Sequence, residues 1–463
     1  MCYRDGRIRS EKLHLGEVYF WGPAAASRRF GRAGFRYHIL SMAAEVETSE
    51  REKRRAGGMF RALSHRNFRL FWAGAFLSNT GTWMQAVAQS WLVYDLTKSP
   101  FWLGLDAFMS TAPGLGLTLL AGVFADLVDR RRLLLFTQLG AGLSALTLAV
   151  LIVTGVVHVW MILVLSFVTG CCFAIAGPSY QAITIDLVGR EDLANAIALN
   201  STQFQFSRVV GPSIAGVALK VLGLAGCFFA NAVSFVAVIV ALMKVRYDEQ
   251  KASARAHSVK DRRAVWQDLV EGLRYVRRRR RVFMLLLISA ITSLFGTPYF
   301  SMIPVYARDV FHLDESGNAL LMGLSGAGAF VGALTLAYLG DFKNKGWSVL
   351  CGSFGFAVCV IGFAYSTRIA VSLAFLFLMG FGIVSCVSVV NTLLQKLVTD
   401  EMRGRVMSMF ILSFIGTMPI GNLAAGAAAE HFGPQRTLAA GGLVIAAFIT
   451  FVALRYKRLR ELS

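Results

Sequence analysis

Arg208 is the residue of this sequence whose type and position most strongly indicate a binding function. It lies in the middle of the apolar stretch 199–219, where an unpaired guanidinium costs on the order of 3 kcal/mol or more. It is therefore expected to face the interior of a helix bundle. Three roles are open to it: a structural ion pair, a contact to a substrate, and a part in proton coupling. Because arginine stays protonated in proteins, it would act in coupling by tuning a carboxyl group.

Asp106 is the expected titratable partner of Arg208. It is the only acid in its apolar stretch. Burial and a nearby arginine shift the pKa of a carboxyl group in opposite directions, which is the balance that a proton carrier needs. The alternative is that Asp106 is a polar residue of the outer vestibule with no part in coupling.

Amide and aromatic side chains complete the predicted cavity. Polar side chains in membrane helices face inward, either in interhelical hydrogen bonds or as cavity lining, and both roles stay open here. Few charges and many rings suit a bulky, amphipathic substrate. Prolines at 298 and 304 are expected to break the helix that carries Tyr299. The candidates are Asn79, Trp83, Gln85, Gln89, Tyr180, Gln181, Asn200, Gln203, Gln205, Tyr299, Asn391 and Gln395.

The elements that position these residues are predicted to be membrane-spanning helices. Of the 463 residues, 56% are hydrophobic and 16% are charged, and the mean hydropathy is +0.57. A soluble protein of this size cannot bury so much apolar surface. Apolar runs of about 20 residues, the length that spans a bilayer, occur about twelve times. We predict an all-α membrane protein with about twelve transmembrane helices in two pseudo-symmetric six-helix halves.

The net charge of +20 indicates orientation rather than nucleic-acid binding. Most of the 47 lysines and arginines lie in the two termini and the even-numbered loops. This is the positive-inside pattern, which places both termini in the cytoplasm. The membrane is expected to be a bacterial-type inner membrane. The seven cysteines lack ligand spacing and no histidine lies in the middle of a span, so no metal site is predicted.

Charge and hydropathy also predict the division of the chain. A weak repeat relates the halves, because Gly211, Gly216 and Gly223 recur 210 residues later as glycines. Within the basic linker, residues 261–281 predict an amphipathic helix on the anionic inner leaflet, either as a clamp between the halves or as a regulatory lipid site. The predicted limits are 1–60 for a disordered cytoplasmic N-terminus with alternative starts at Met42 and Met59, 61–243 and 282–455 for the two halves, 244–281 for the linker, and 456–463 for a cytoplasmic tail.

A charged turn at residues 122–132 separates two apolar runs and has a recognisable pattern. It fits the form Gly-x-x-x-Asp-(Arg/Lys)-x-Gly-(Arg/Lys)-(Arg/Lys) at Gly122, Asp126, Arg130 and Arg131, and departs from it at positions 127 and 129. The chain therefore resembles the major facilitator superfamily. The segments that resemble its branch with the enterobactin exporter and macrolide-efflux-like proteins are 66–72, 78–84, 91–100 and 271–276.

The resemblance implies a gating latch in this turn. Asp126 would cap a helix of the opposite half, and Arg130 would pair with Asp186 at the end of the fourth helix. The latch residues so implied are Gly122, Asp126, Arg130, Arg131 and Asp186, with a weak second copy at Asp341. The second copy is not assigned the same relay, because Lys396 stands where the repeat would place the acid. Gly211 and Pro212 resemble the helix-kink motif of proton-coupled exporters.

These observations predict a secondary active exporter of amphipathic small molecules, siderophore or drug-like, that uses the proton gradient and alternating access. The alternative is an importer of a small polar nutrient on the same fold. The sequence has no Gly-x-x-x-x-Gly-Lys-(Ser/Thr) loop and no Gly-x-Ser-x-Gly elbow, which argues against an ATP-driven pump or an enzyme. The expected partners are a small-molecule substrate and the bilayer, without nucleic acid or cofactor, and the protein is expected to be a monomer.

Overall fold

The computed structural model describes residues 60–117, 129–245, 262–460 and 462, with the backbone alone at 262–269 and 458. Residues 62–463 belong to one compact unit. The predictions for residues 1–59, for Gly122 and Asp126 in the charged turn, and for the linker residues 246–261 lie outside the described residues. We call residues 62–245 the N-terminal segment and residues 262–462 the C-terminal segment.

Most of the described residues are helical, and they contain no strand. The N-terminal segment consists of α1 (Arg66–Thr97), α2 (Pro100–Thr111), α3 (Arg130–Val153), α4 (Val159–Val188) and α5 (Leu193–Lys244). The C-terminal segment begins with α6 (Arg262–Arg278), α7 (Arg280–Gly296), α8 (Pro298–Val305), a π-helical turn (Tyr306–Val310) and α9 (Glu315–Leu339). It continues with α10 (Lys345–Tyr365), α11 (Ile369–Leu397), α12 (Asp400–Phe414), α13 (Met418–Phe432), α14 (Pro434–Arg455) and α15 (Lys457–Arg460).

Nine helical runs in the described residues are long and apolar enough to cross a membrane. They are α3, α4, α5, the run from α7 to Val310, α9, α10, α11, the run through α12 and α13, and α14. α1 is 32 residues long but is not one of the nine. Its interior carries Asn79, Gln85 and Gln89, whose polarity lowers its hydropathy. Helices satisfy their own backbone hydrogen bonds, which the interior of a bilayer requires.

Side chains and prolines set several of the helix starts. The Asp129 carboxylate accepts a hydrogen bond from the Arg131 backbone N–H at 2.8 Å and so caps α3. Asp314 caps α9 through the Gly317 N–H at 3.0 Å, and this bond together with the Ser316 hydroxyl lowers the pKa of Asp314. α2, α8 and α14 begin on proline, which is favourable at the first helical position because its missing N–H would be unpaired there.

The two ends of the helix bundle differ in charge. At one end lie the starts of α3, α7 and α10, with Arg130–132, Arg277–281 and Lys345. We call this the basic end. The opposite end, where α1 meets α2 and α13 meets α14, is called the far end. This distinction organises the contacts described below.

α5 is two helices that meet at Gly223. Gly223 has φ +68° and ψ −176°, which is non-helical, and glycine adopts this region without steric cost. Helical φ and ψ angles continue through Gly211 and Pro212, the residues of the predicted kink. Gly211 allows close packing, because a side chain there would lie 2.8 Å from the Thr80 carbonyl oxygen of α1.

Two helix pairs bring the N-terminal and C-terminal segments together. α5 packs on α9 at the middle of the bundle, where the Phe206 and Phe330 rings lie 5.4 Å apart. α2 packs on α13 nearer the far end, where Gly104 faces Gly426. A Cβ on Gly104 would lie 2.9 Å from the Gly426 Cα, so the absence of side chains is what permits this backbone approach.

The segment after α14 folds back onto the basic end of α10. The Gly346 N–H donates to the Leu462 carbonyl oxygen at 2.9 Å, and Leu459 is buried. The Arg460 guanidinium lies 5.2 Å from the Trp347 ring centroid. The predicted tail at 456–463 is therefore docked on the bundle at these residues.

Candidate functional site

Arg208 lies between the two segments, at the middle of the first part of α5. Its guanidinium carbon is 5.3 Å from the centroid of the Trp83 ring on α1 and 5.5 Å from that of the Phe300 ring on α8. Cation–π attraction of this kind is worth about 0.5–2 kcal/mol, more as the pair is desolvated. Gly326 of α9 fits against the Arg208 backbone, where a larger residue would clash. Helices of both segments thus hold the arginine.

The charge of Arg208 is not neutralised by any carboxylate in the described part of the chain. Its buried Nε has no hydrogen-bond partner there. The structural ion pair, one of the three roles considered for this residue, is therefore not formed among these residues. A buried N–H without a partner costs about 1–3 kcal/mol. The hydrogen-bonding capacity of this N–H is therefore unused among the described residues.

Aromatic rings surround this arginine. Trp83 makes edge contacts with Phe204 at 6.0 Å and with Phe300 at 6.1 Å. Tyr299 packs edge-on to Phe300 at 6.2 Å, and its hydroxyl is 2.8 Å from the Ser325 hydroxyl. The sequence analysis selected Trp83 and Tyr299 but missed Phe204 and Phe300. Phenylalanines are common in apolar spans, and neither residue carries a polar atom that would distinguish it.

Asp106 belongs to a separate polar group, which corrects the expectation that it partners Arg208. The Gln89 amide nitrogen donates to both of its carboxylate oxygens at 3.0 Å. The Ser166 hydroxyl donates to it at 2.5 Å. α1, α2 and α4 supply these three side chains, so the group lies within the N-terminal segment. Asp106 is held by neutral donors because a glutamine and a serine of neighbouring helices reach it, and Arg208 does not.

Hydrogen bonds extend from Asp106 across α1 to α5. The Gln85 side-chain amide donates to the side-chain oxygen Oε1 of Gln89 at 3.3 Å. The Asn231 side-chain amide donates to the side-chain oxygen Oε1 of Gln85 at 2.6 Å. The chain of side chains therefore runs Asn231, Gln85, Gln89, Asp106 and Ser166. Asn231 and Ser166 were not selected from the sequence, since each is a single small polar residue in an apolar helix.

The other predicted amides are used mainly in packing between helices. Asn79 donates to Gln203 at 3.4 Å, and Asn200 donates to the Thr184 hydroxyl at 3.3 Å. Asn391 accepts from Gln395 within α11 at 3.1 Å. Tyr180 lies on the Phe71 ring at a centroid distance of 4.7 Å. Gln181 is exposed on α4 and Gln205 is half-buried on α5. These residues do not converge on Arg208.

Polar contacts close the far end between the segments, and none of them was selected from the sequence. The Tyr94 hydroxyl donates to Asp309, and Arg308 pairs with Asp95. The Ser99 hydroxyl donates to Glu430 at 2.6 Å. In each pair the first and second residues come from different segments. These charged residues sit at helix ends, where the sequence offers no reason to distinguish them from solvated charges.

The Arg130 guanidinium lies 3.1 Å from the Asp186 carboxylate at the basic end. The pair is mostly buried, with side-chain exposures of 19% and 13%. Arg131 donates to the carbonyl oxygens of Leu242 and Met243 at 2.8 and 2.7 Å, which joins α3 to the end of α5. Their partners in the predicted latch, Gly122 and Asp126, lie outside the described residues.

The second copy of the latch has the opposite polarity. Asp341 accepts hydrogen bonds from Lys345 and, at 2.8 Å, from Lys396. These two ammonium groups lower the pKa of Asp341 from its usual 3.8 to about 2. In the N-terminal segment the acid, Asp186, lies at the end of α4 and the base, Arg130, belongs to the charged turn. In the C-terminal segment the acid, Asp341, lies in the turn between α9 and α10.

No group of three or more histidine, cysteine, aspartate or glutamate side chains in the described residues is arranged to hold a metal ion. The charged side chains of the site are a single guanidinium and a single carboxylate in different polar groups. Such an arrangement offers stacking surfaces and hydrogen-bond donors and acceptors.

Comparisons with known proteins extend this description. The sequence pattern of a family described as "Transmembrane secretion effector" matches residues 57–462. The staphyloferrin A transporter of Staphylococcus aureus is 24% identical over 374 residues, which cover 81% of this chain and 92% of the relative. The multidrug efflux pump Tap of Mycolicibacterium fortuitum is 27% identical over 396 residues, covering 84% and 95%.

Further relatives are named for export. The enterobactin exporter EntS of Shigella boydii is 22% identical over 403 residues, covering 86% of this chain and 94% of the relative. Among solved structures, the nucleoside transporter NupG has a TM-score of 0.65 at 11% identity, and the match covers 85% of this chain and 98% of that transporter. At that identity the likeness shows the fold alone.

The family and its named relatives are transporters, so the prediction that the chain is not an enzyme is confirmed by the comparisons. The resemblance to the exporter branch is confirmed as well. A small-molecule substrate follows from the same relatives. The chain is a multi-pass membrane transporter of the major facilitator superfamily and belongs to its transmembrane secretion effector family.

Proposed function

We propose that this protein is a proton-coupled exporter of amphipathic small molecules that works by alternating access. Relatives named as efflux pumps and as an enterobactin exporter support the direction. The observation that carries the proposal is the site around Arg208, where a cation without a carboxylate partner lies between two rings and between two segments. This site offers one charged hydrogen bond and a large stacking surface.

The proposed substrate therefore has a flat or ring-shaped apolar part and an anionic or strongly accepting group. The rings of Trp83 and Phe300 would cover the apolar part, and the free Nε of Arg208 would donate to the acceptor. A hydrogen bond to a charged group contributes about 1.5–3 kcal/mol. Siderophore carboxylates and the polar rims of drug-like molecules both meet this description.

In the proposed architecture, twelve helices cross the membrane in two halves, over 61–243 and 282–455. The nine apolar runs are supplemented by α1, by α2 with its continuation, and by the second part of α5 beyond Gly223. The basic end lies in the cytoplasm, since lysine and arginine concentrate on the cytoplasmic side of such proteins. Both termini are then cytoplasmic, in a bacterial-type inner membrane.

Proton coupling is assigned to Asp106. Its carboxylate is half-buried and is held by Gln89 and Ser166, so a change in its protonation alters these hydrogen bonds. The side-chain series through Gln89, Gln85 and Asn231 connects that change to the part of α5 beyond Gly223 and to α1, the helix that places Trp83 against Arg208. The coupling is thus indirect, through helix position, and needs no cofactor besides the proton gradient.

Alternating access is supported by the contacts between the segments at the far end. Pairs such as Tyr94 with Asp309 and Asp95 with Arg308 are reversible polar contacts, and they would close the outer side while substrate enters from the cytoplasm. At the basic end, Arg130 and Asp186 would hold α3 to α4 within the N-terminal half and act with Gly122, Asp126 and Arg131 as the inner latch. Asp341 would serve the C-terminal half.

Transport in inside-out membrane vesicles tests the proposal. An acidic lumen should drive accumulation of a labelled macrolide or of enterobactin, and collapse of the gradient should release it. Arg208→Gln should weaken transport by about 10–100-fold, whereas Lys220→Gln, which removes a charge from an exposed position of the same helix, should not. Accumulation under the opposite gradient would identify an importer and contradict the proposal.

The assignment of Asp106 has its own test. Asp106→Asn should abolish accumulation driven by the pH gradient while leaving exchange of labelled for unlabelled substrate in the absence of a gradient. Glu191→Gln, which alters an exposed acid of the same segment, should change neither. Retained pH-driven accumulation in Asp106→Asn would exclude this carboxylate as the coupling group.

A further inference from the structure

A basic cavity at the membrane boundary lies apart from the transport site. Its volume is about 970 Å³, and it opens between the α6–α7 junction and the α14–α15 junction. Among the described residues, its lining includes six cationic side chains and no acidic one. These cations are Arg278, Arg279, Arg280, Arg281, Arg455 and Lys457.

The cations of this cavity differ from other cations of the basic end in having no carboxylate partner in the part of the chain that the structure describes. Arg130 pairs with Asp186, Lys396 with Asp341 and, at 2.5 Å, Arg405 with Glu271. Within the described residues no such pair involves the six cavity cations. Like charges held close together repel one another and raise the local potential. An anion in the cavity would relieve that repulsion at several side chains at once.

The backbone at the α6–α7 junction brings Arg279 and Arg280 to the cavity. Arg279 interrupts the helix between α6 and α7, with φ −110° and ψ 87°. Its guanidinium carbon lies 4.7 Å from the Tyr275 ring centroid, which fixes the plane of the group and leaves its N–H edges free. Arg280 follows at the start of α7, where the backbone N–H groups of a 17-residue helix also favour an anion.

Apolar residues beside the charges identify the ligand as an amphiphile. Val282 and Met284 of α7 and Leu454 of α14 line the same cavity. Leu454 is 70% exposed, and Phe451, one turn earlier on α14, is 55% exposed. Both α7 and α14 belong to membrane-crossing runs that end at this level. A free inorganic anion makes no favourable contact with this apolar surface, whereas the acyl chains of a lipid would pack against it.

We propose that this cavity binds the phosphate headgroup of one anionic phospholipid. The arginines of the α6–α7 junction and Arg455 donate to the phosphate oxygens, and the acyl chains descend along Phe451 and Leu454. Arginine forms paired hydrogen bonds with phosphate, which makes it suited to this role. The bound lipid joins the end of the linker to the last spanning helix. Binding does not depend on the direction of transport or on its coupling ion.

Titration of the purified full-length protein in a neutral detergent tests this site. Phosphatidylglycerol should bind with saturation, at one tight site per protein by native mass spectrometry, and should raise the apparent melting temperature. Phosphatidylcholine should do neither at the same concentration. Glycerophosphoglycerol, which has the same phosphodiester group without acyl chains, should bind at least about tenfold more weakly, because it lacks the apolar contact.

Two matched triple variants separate a built site from general surface charge. Arg279→Gln/Arg280→Gln/Arg455→Gln should weaken phosphatidylglycerol binding about 100-fold, at about fivefold per charge removed. The control removes three charges from the same end at positions that do not line the cavity, Arg190→Gln/Arg274→Gln/Arg277→Gln, and should keep the tight site. The single variants Arg280→Gln and Arg455→Gln should each show the fivefold effect in a protein with unchanged helix content.

Three results would overturn the proposal. Unchanged phosphatidylglycerol binding in the cavity variants would exclude these side chains. Equal losses in the cavity and control triple variants would mean that the lipid responds to net surface charge alone. Binding of glycerophosphoglycerol as tight as that of phosphatidylglycerol would make the ligand a soluble phosphate compound instead of a lipid.

Discussion

The far end and the basic end of this transporter use charged side chains in different ways. At the far end, Asp95 pairs with Arg308 and Ser99 bonds to Glu430, so the contacts run between the N-terminal and C-terminal segments. At the basic end, Arg130 with Asp186 and Lys396 with Asp341 join helices of one segment. The far-end contacts hold the two segments together, and the basic-end contacts stabilise each segment.

The difference indicates which contacts break during a transport cycle. Exposed ion pairs contribute about 0–1 kcal/mol each, so the far-end contacts are weak enough to open repeatedly. Loss of one member of a mostly buried pair such as Arg130 and Asp186 is more costly, because it leaves the other charge without its partner. The far end is thus suited to opening and closing, and the mostly buried Arg130–Asp186 pair of the basic end is suited to permanence.

Locking the far end should have the largest effect. A short bifunctional thiol reagent applied to the double variant Asp95→Cys/Arg308→Cys should join the two segments and reduce transport at least about tenfold, since opening is required in every cycle. Each single variant should be insensitive to the reagent, which controls for the natural cysteines. The same treatment of Asp341→Cys/Lys396→Cys, within the C-terminal segment, should not reduce transport beyond the effect of the two substitutions themselves. Equal inhibition of both double variants would remove the distinction between the two ends.

Filling the contact between α2 and α13 should oppose closure of the far end. In Gly104→Leu the new side chain meets the Gly426 backbone, and overpacking of this kind costs about 1–3 kcal/mol, or about 5–150-fold in the equilibrium between open and closed states. Accessibility of a cysteine introduced at Ser99 to an impermeant thiol reagent should rise accordingly. Gly355→Leu, where an added Cβ meets nothing within 4 Å, is the matched control. Unchanged accessibility in Gly104→Leu would show that this contact does not govern closure.

The Arg130–Asp186 pair should behave as a structural link of moderate strength. Arg130→Gln and Asp186→Asn should each destabilise the protein to denaturant, and the double variant should be less destabilised than the sum, with a coupling energy of about 1–3 kcal/mol. Because the pair lies within one segment, thiol accessibility at the far end should not change. Additive effects on stability, or a changed far-end accessibility, would argue against this assignment.

The smallest effect is expected at Asp341 and depends on pH. Its pKa in the folded protein is about 2, below the usual 3.8, because Lys345 and Lys396 favour the charged form. The carboxylate therefore stabilises the fold above about pH 4, and this contribution is lost as the pH falls towards 2. Apparent melting temperatures should show a decline in that window that is reduced in Asp341→Asn and partly reduced in Lys396→Gln. An unchanged decline in Asp341→Asn would contradict the assignment.

The membrane helices were accessible from the sequence because the bilayer leaves few alternatives. A run such as α9 must satisfy its backbone internally and bury its polar groups, so hydropathy is sufficient to predict it. The same reasoning placed Arg208 inside the bundle. The sequence analysis selected Trp83 for the cavity but missed Phe300, because that ring comes from a helix that is distant in the sequence and has no polar atom to distinguish it.

The remaining contacts could not be predicted from the sequence, for similar reasons. Asp106 was matched with Arg208 because opposite charges attract, but the packing of α1, α2 and α4 brings Gln89 and Ser166 to it instead. Asp309 and Glu430 lie near the far end, where charged residues are usual and unremarkable. Only the approach of the two segments shows that they have partners across the interface.

The docked segment after α14 has a consequence for how the protein is made. The Gly346 N–H at the start of α10 bonds to the carbonyl oxygen of Leu462, a residue that the ribosome adds more than a hundred positions later. α10 is therefore synthesised before the residue that accepts the hydrogen bond of the Gly346 N–H, and this bond forms only after Leu462 has been added. A fusion attached directly after Ser463 would crowd this junction, so a reporter placed there needs a flexible spacer to leave the final folding step undisturbed.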